Sequence, residues 1–512
     1  VTTAAVSADV SPTLSPGLGF AGLSFATNLV LAMGSAVVAA RLYGVEVIGV
    51  YALAIAPWQL LASLSTLSEQ AALIRRLAVL PPRSAAGSGA TFAVLTMSSA
   101  ITAALAVPVL LLSGVALTGP IGQPGSLAPA VAIVIGYVVL ENVSWNLESV
   151  LSAYSRGRRL FWCRFTTTAS FLALVVLFRG FTDTVWGLIA ANLGSFALGA
   201  VARIVCVRDL LVLRPGVAAY KQGLAELPDI VRFGLRLLPS QFSVGLTMQA
   251  PLWILAGHLS IRDVGAFSRA TSLAVRLNEA GYRVNEMLYP DLVRRLHAGD
   301  RLGFAHALRR TLGLSLLLLT AAAALLSGAS VSVMDVFGDG FGTAAGALIF
   351  LSLAHVCFVA SSILAAAYNA HGRPLLNSLV SPVRLVVGLA LVAVLAPRHG
   401  MTAAAAGLSA GYGLEVLVRV VVFARMTDVD GVLTALLAHL LKIATAFGVV
   451  FLAARLVDEL VSSAMLALPL AGLAGGVTFV AMLATTDLLE DDDRAAIARK
   501  VGLLRRRRRP LA

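Results

Sequence analysis

The chain has 512 residues, 58% of them apolar and 13% charged, with a formal net charge of +13. That balance is too apolar for a soluble domain, so the basic excess is read as membrane topology and excluded as a nucleic-acid signal. Three cysteines, Cys163, Cys206 and Cys357, stand far apart, with neither metal-ligand spacing nor an even count for a disulfide framework.

Residues 1–16 read as a disordered polar tail without the basic and small-residue marks of a removable signal peptide. Fourteen stretches then reach the roughly 20 apolar residues that a membrane helix needs. They are 17–40, 48–68, 89–112, 128–152, 160–178, 184–206, 232–256, 264–288, 310–334, 344–367, 376–396, 401–423, 435–455 and 462–484. Spans four, eight and ten are the weakest because they carry polar groups. Loops after even-numbered spans hold most of the arginines, among them Arg75, Arg76, Arg158, Arg159, Arg294 and Arg295. The opposite loops hold only Arg41, Arg179, Arg262, Arg398 and Arg455. The positive-inside rule therefore places both termini in the cytoplasm. Outer loops are short, the longest being the uncharged Gly/Pro-rich stretch 113–127, so neither a receptor nor an extracellular catalytic domain is expected. Residues 207–231 read as an amphipathic cytoplasmic linker between two halves.

Polar residues inside the spans mark candidate sites. Glu141 and Glu148 lie seven apart on one face of the fourth span, where a membrane carboxylate serves either ion coupling or pairing with a base such as Arg164 or Arg203. Arg236, near the cytoplasmic end of the seventh span, is placed either to receive an anionic headgroup or to snorkel. In the eighth span Arg269, Arg276 and Arg283 recur every seven residues, a ladder of roughly 21 Å on one helix face. Each arginine facing lipid would cost at least ~2.5–3.5 kcal/mol, so this stripe must meet water, anions or counter-charges. As a pyrophosphate track it uses the planar fork of arginine. As a structural array it pairs with Glu279 and Glu286, which stand at facing positions and also make Glu279 a coupling candidate. Arg269 has no acidic neighbour at these spacings. Asn278 and Asn285, also seven apart, suit sugar hydroxyls or helix packing. Glu415 and Arg419 form an i,i+4 pair, Arg384 is a further ion-pair candidate, and His355 reads as a hydrogen-bonded structural histidine. The tail is acidic at Glu490–Asp493 and basic at Arg505–Arg509, an interfacial anchor.

The halves also resemble each other. Val47–Tyr51 matches Asp263–Phe267 at an offset of 216, Ser155–Arg158 matches Ala370–Arg373 at 215, and Thr184–Gly187 matches Gly400–Ala403 at 216. A duplicated six-helix unit repeated in parallel supports a site between repeats and rocking-type alternating access. The domains are then 1–16, the lobe 17–206, the linker 207–231, the lobe 232–424, two extra helices in 435–484, and the tail 485–512.

The segment from Arg41 to Tyr51, its partner around Asp263–Phe267, and the runs Asn369–Pro374 and Pro397–Gly400 resemble polysaccharide exporters of the Wzx type. These belong to the multidrug/oligosaccharidyl-lipid/polysaccharide (MOP) superfamily, and the resemblance covers roughly residues 17–484. It implies an all-α polytopic membrane protein with about 14 helices in two pseudo-symmetric lobes, flipping a polyprenyl-(pyro)phosphate-linked oligosaccharide to the outer leaflet. Glycosyltransferases and a polymerase are the implied partners. Arg236 departs from the family, in which many relatives carry an apolar residue or proline early in that helix. The alternatives are a multidrug cation antiporter of the same superfamily and a non-transporting scaffold of a glycan assembly complex. No Gly-Lys-Ser/Thr nucleotide loop is present, and no enzyme, metal or cofactor is expected.

Overall fold

The computed structural model describes residues 16–65, 69–78, 80–117, 127–154, 156–427, 432–486 and 488. The expected N-terminal tail, the middle of the uncharged outer loop and the acidic–basic tail with Arg505–Arg509 lie outside the described residues, as do the side chains of Arg283 and Glu286. Helix is the only regular structure among the described residues. This is what a bilayer demands of a spanning chain that does not close into a barrel, because every backbone N–H and C=O must find a partner within the segment.

The helices are α1 (Pro16–Ser65), α2 (Glu69–Leu77), α3 (Ala85–Leu117), α4 (Leu127–Ala153), α5 (Gly157–Arg179), α6 (Val185–Val207), α7 (Val217–Ala256) and α8 (Ile261–Ala274). They continue as α9 (Arg276–His297), α10 (Arg301–Gly328), α11 (Ser330–Asp335), α12 (Ala345–Ala370), α13 (Pro374–Val380), α14 (Pro382–Thr427), α15 (Val432–Leu460) and α16 (Ala464–Thr485). Eight described segments are long and apolar enough to cross a membrane. Two of them, Thr27–Ala62 and Leu375–Arg425, each cover two expected spans. The stretch expected as a linker is helical from Val217 and runs without interruption through α7.

The chain divides into two compact units. One comprises the described residues of Val1–Ala39, Glu69–Ala104 and Ala132–Ile230. Leu73, Val94, Leu151, Cys163 and Val207 form its apolar centre. At its edge α3 and the start of α7 meet through glycine, since a Cβ on Gly89 or Gly223 would strike the opposing backbone. Arg76 closes this contact with a two-pronged bond to Glu226, 2.9 and 2.6 Å.

The other unit comprises the described residues of Ala40–Ser68, Leu105–Val131 and Val231–Ala512. Leu292, Phe304, Val359, Ile363 and Tyr368 build its main core. The second half of α1 meets α8 backbone to backbone. A Cβ on Gly49 would strike the carbonyl oxygen of Ile261, and a Cβ on Gly265 would strike that of Val45. The contact is reciprocal: Gly49 and Gly265, like Val45 and Ile261, are 216 positions apart, the offset of the sequence repeat.

Helix starts carry the same register. Gly44 (φ 80, ψ 167) and Ser260 (φ −70, ψ 155) are the extended residues that open the second and eighth spans, 216 apart. Thr184 (φ −88, ψ 170) and Gly400 (φ 72, ψ −166) open the sixth and twelfth at the same separation. Gly44 and Gly400 sit at positive φ, which only glycine adopts without strain. Before the fifth and eleventh spans the register shifts to 217. There Arg156 and Arg373 each donate from the backbone five residues back, to Leu151 (2.8 Å) and Tyr368 (3.1 Å). The offset of 215 seen in the sequence at this boundary is therefore two residues out of structural register.

Candidate functional site

The arginine helix tightens for one turn at Val275 while its backbone stays helical (φ −57, ψ −27). Ser260 opens α8 with a reciprocal cap: its hydroxyl accepts from the Asp263 amide, and the Asp263 carboxylate accepts from the Ser260 amide. Val275 still bonds Thr271 four residues back (2.9 Å), and Asn278 bonds back to Val275 in a tighter, three-residue turn (2.9 Å). This tightening falls between the first two arginines of the ladder.

Those two arginines meet different surroundings. Arg276 Nη1 lies 2.6 Å from Glu279 Oε1, and both side chains are about one-third exposed (37% and 36%). Arg269 is half-buried near Tyr51, and among the described residues its Nε has no hydrogen-bond partner. The ladder thus contains one arginine paired with a carboxylate and one without a carboxylate partner among the described residues. Arg283 holds the next rung by backbone position.

Other expected residues are placed elsewhere. Asn278 is 2% exposed and turns into α12, where its side-chain oxygen meets His355 Nδ1 at 3.1 Å. One heptad on, Asn285 bonds Ser362 of the same helix. Between these rungs a Cβ on Gly281 would strike Val359, so α9 and α12 lie close along their length. Arg236 is exposed on α7, and its carbonyl accepts from the Ser378 hydroxyl at 2.6 Å.

The carboxylates of the fourth span also part ways. Glu148 lies between Arg164 (2.8 Å) and Arg203 (2.5 Å), with Thr167 taking a further bond from Arg203 at 3.0 Å. Glu141 is 8% exposed, and among the described residues its Oε2 has no hydrogen-bond partner. In the other unit Glu415 lies between Arg384 (3.0 Å) and Arg419 (2.8 Å), and the Arg384 guanidinium covers the rings of Phe358 and Tyr412. The shared arginines of these two clusters, Arg203 and Arg419, are again 216 apart.

Sequence reasoning missed three tyrosines. Tyr51 lies near Arg269, while Tyr282 and Tyr289 project from α9 at 49% and 42% exposure. A readable signal existed for the second pair, which recurs at the same seven-residue interval as the arginines.

No protein-family model matches the sequence, and no curated protein matches it. Solved structures do. A lipid II flippase, MurJ, in an inward closed conformation superposes with a TM-score of 0.66 at 13% identity, covering 92% of this chain and 100% of the flippase. A multidrug resistance transporter of the MATE family, inward-facing, gives 0.58 at 16% identity over 78% of this chain and 94% of its own. A MOP superfamily transporter from Pyrococcus furiosus, described by the reverse polarity of its binding pocket, gives 0.53 at 14% identity over 80% and 93%. The chain is a multi-pass membrane protein with the fold of the MOP superfamily transporters.

Proposed function

We propose that this chain is a flippase that carries a polyprenyl-(pyro)phosphate-linked oligosaccharide from the cytoplasmic to the outer leaflet of the cytoplasmic membrane by alternating access, for cell-surface polysaccharide synthesis. Arg269 carries the reading. A guanidinium inside a membrane span with a buried, unpartnered Nε and no carboxylate partner among the described residues is costly unless an anion completes it. A pyrophosphate presents planar sets of oxygens that the arginine fork binds in pairs. A fold shared with a protein named as a lipid II flippase supports a lipid-linked cargo. Of the three acidic residues considered for ion coupling, Glu148 and Glu279 already hold arginines, which leaves Glu141 as the coupling candidate.

Likeness to a multidrug resistance transporter favours a second reading, export of a cationic drug. An open guanidinium repels such a cargo. The two readings part in proteoliposomes. The flippase reading expects a polyprenyl-pyrophosphate oligosaccharide to change leaflets, at least tenfold more slowly in Arg269→Ala and partly restored in Arg269→Lys. Proton-driven ethidium export by a wild-type protein that leaves the lipid-linked glycan in place would overturn it.

A further inference from the structure

Arg384 and Arg419 share one carboxylate between two positive charges. Arg384 donates from Nη1 to one oxygen of Glu415 (3.0 Å), and Arg419 donates from Nε (3.1 Å) and Nη2 (2.8 Å) to the other. Both guanidiniums are 2% exposed and Glu415 is fully buried. Each arginine thus has its carboxylate, yet the cluster as a whole keeps one formal positive charge in excess. Burial leaves no solvent to spread that charge.

The nitrogens show where it is open. Arg419 also gives Nη2 to the Ser381 hydroxyl (2.8 Å), and its Nη1 has no partner among the described residues. Arg384 leaves both Nε and Nη2 without a partner among the described residues. Those two N–H groups lie on one edge of the planar fork, the edge that grips an anion two-handed. Phe358 and Tyr412 lie over the guanidinium at 5.4 and 5.3 Å. Their faces attract a cation but leave the in-plane N–H groups unbonded.

The cluster of the other unit has the same charge count and resolves it. Glu148 lies between two arginines, and Arg203 uses all three nitrogens: Nε and Nη2 on Glu148, Nη1 on Thr167. Its second arginine, Arg164, is 42% exposed and passes the excess charge to its surroundings. Arg384 has no such exit.

We propose that the Nε–Nη2 edge of Arg384 binds a small inorganic monoanion of the chloride class as a resident part of the scaffold. One negative charge balances the cluster, whereas a pyrophosphate would overshoot it. The rings beside the two arginines, Phe358, Tyr368 and Tyr412, are themselves buried, which suits a bare ion and not a group tethered to a lipid. Arg384 stands in the first half of α14, with Glu415 and Arg419 in the second, and Ser381 meets Ser240 of α7 at 2.9 Å. The ion therefore braces a three-way junction, and the assignment does not depend on what the protein carries.

Melting temperature tests it. Purified protein is washed into sodium gluconate, and chloride then replaces gluconate at constant ionic strength. Wild type should gain several degrees, rising with the logarithm of chloride concentration once the site fills. Arg384→Met leaves Glu415 and Arg419 as a balanced pair and should melt alike in both salts. Arg164→Met should keep the wild-type response. Equal melting of the wild type in both salts overturns the proposal, as does an undiminished response in Arg384→Met or a response lost in Arg164→Met as well. A second measurement needs no variant. Wild-type crystals grown in bromide should show an anomalous peak in contact with Arg384 Nε and Nη2. Ordered water at that edge without an anomalous peak also overturns the proposal.

Discussion

Arg384 and Arg419 lie in the same unit as Arg269, yet the protein treats them in opposite ways. The first two are 2% exposed and share the Glu415 carboxylate, with Ser381, Phe358 and Tyr412 around them. Arg269 lies near Tyr51 and has no carboxylate partner among the described residues; unsatisfied nitrogens do not separate the three, since Arg384 Nε and Nη2 and Arg419 Nη1 are unpartnered as Arg269 Nε is. A compensated guanidinium in a membrane core is scaffold, because its partner is supplied by the fold. An uncompensated one is held ready for a partner from outside. Burial alone would have ranked Arg384 and Arg419 above Arg269 as sites, and the Glu415 counter-charge that only the first two share reverses the order.

The sharpest way to break this comparison is Glu415→Gln. It strands two buried cations, and removing one partner of a buried charge cluster costs about 3–5 kcal/mol. Thermal unfolding in detergent should show a large loss of melting temperature, and a variant as stable as wild type would end the scaffold reading. Glu148→Gln in the other unit should cost less, since Arg164 is 42% exposed and can return to water. Arg269→Ala is expected to leave the melting temperature within a few degrees of wild type, because no partner is stranded. A collapse like that of Glu415→Gln would move Arg269 into the scaffold.

The smallest effect comes from the pair Arg159–Asp209, whose aspartate lies just beyond the end of α6. The hydrogen bond from Arg159 holds the Asp209 carboxyl below the ordinary carboxylate range. A depressed folded-state value adds stability above the unfolded value and loses it as pH falls through the folded one. Asp209→Asn should therefore melt slightly below wild type at neutral pH, with the two curves converging in acid. Divergence that grows on acidification would show the sign to be wrong.

The sequence made the helices legible because apolar runs of membrane length admit little else. Pairing of Glu148 was legible down to its partners, since Arg164 and Arg203 were the bases named for it. Glu279 next to Arg276 was legible from helical spacing. The tightened turn at Val275 was not, because no proline or glycine marks it. Nor was the direction of Asn278, whose face is fixed by His355, 77 residues away. Periodicity places residues on stripes, but only tertiary contact says which stripe faces protein and which faces water.

The glycine contact between Gly49 and Gly265 has a mechanical meaning. Helices ordinarily cross with side-chain ridges seated in grooves, and turning one against the other means lifting every ridge out. Here a backbone rests on a backbone where each helix presents a glycine, with the Ile261 side chain at the edge of the contact. Such a point acts as a bearing: it fixes the separation of the two helices while leaving their crossing angle soft. A methyl group on either glycine would both push the helices apart and jam the bearing.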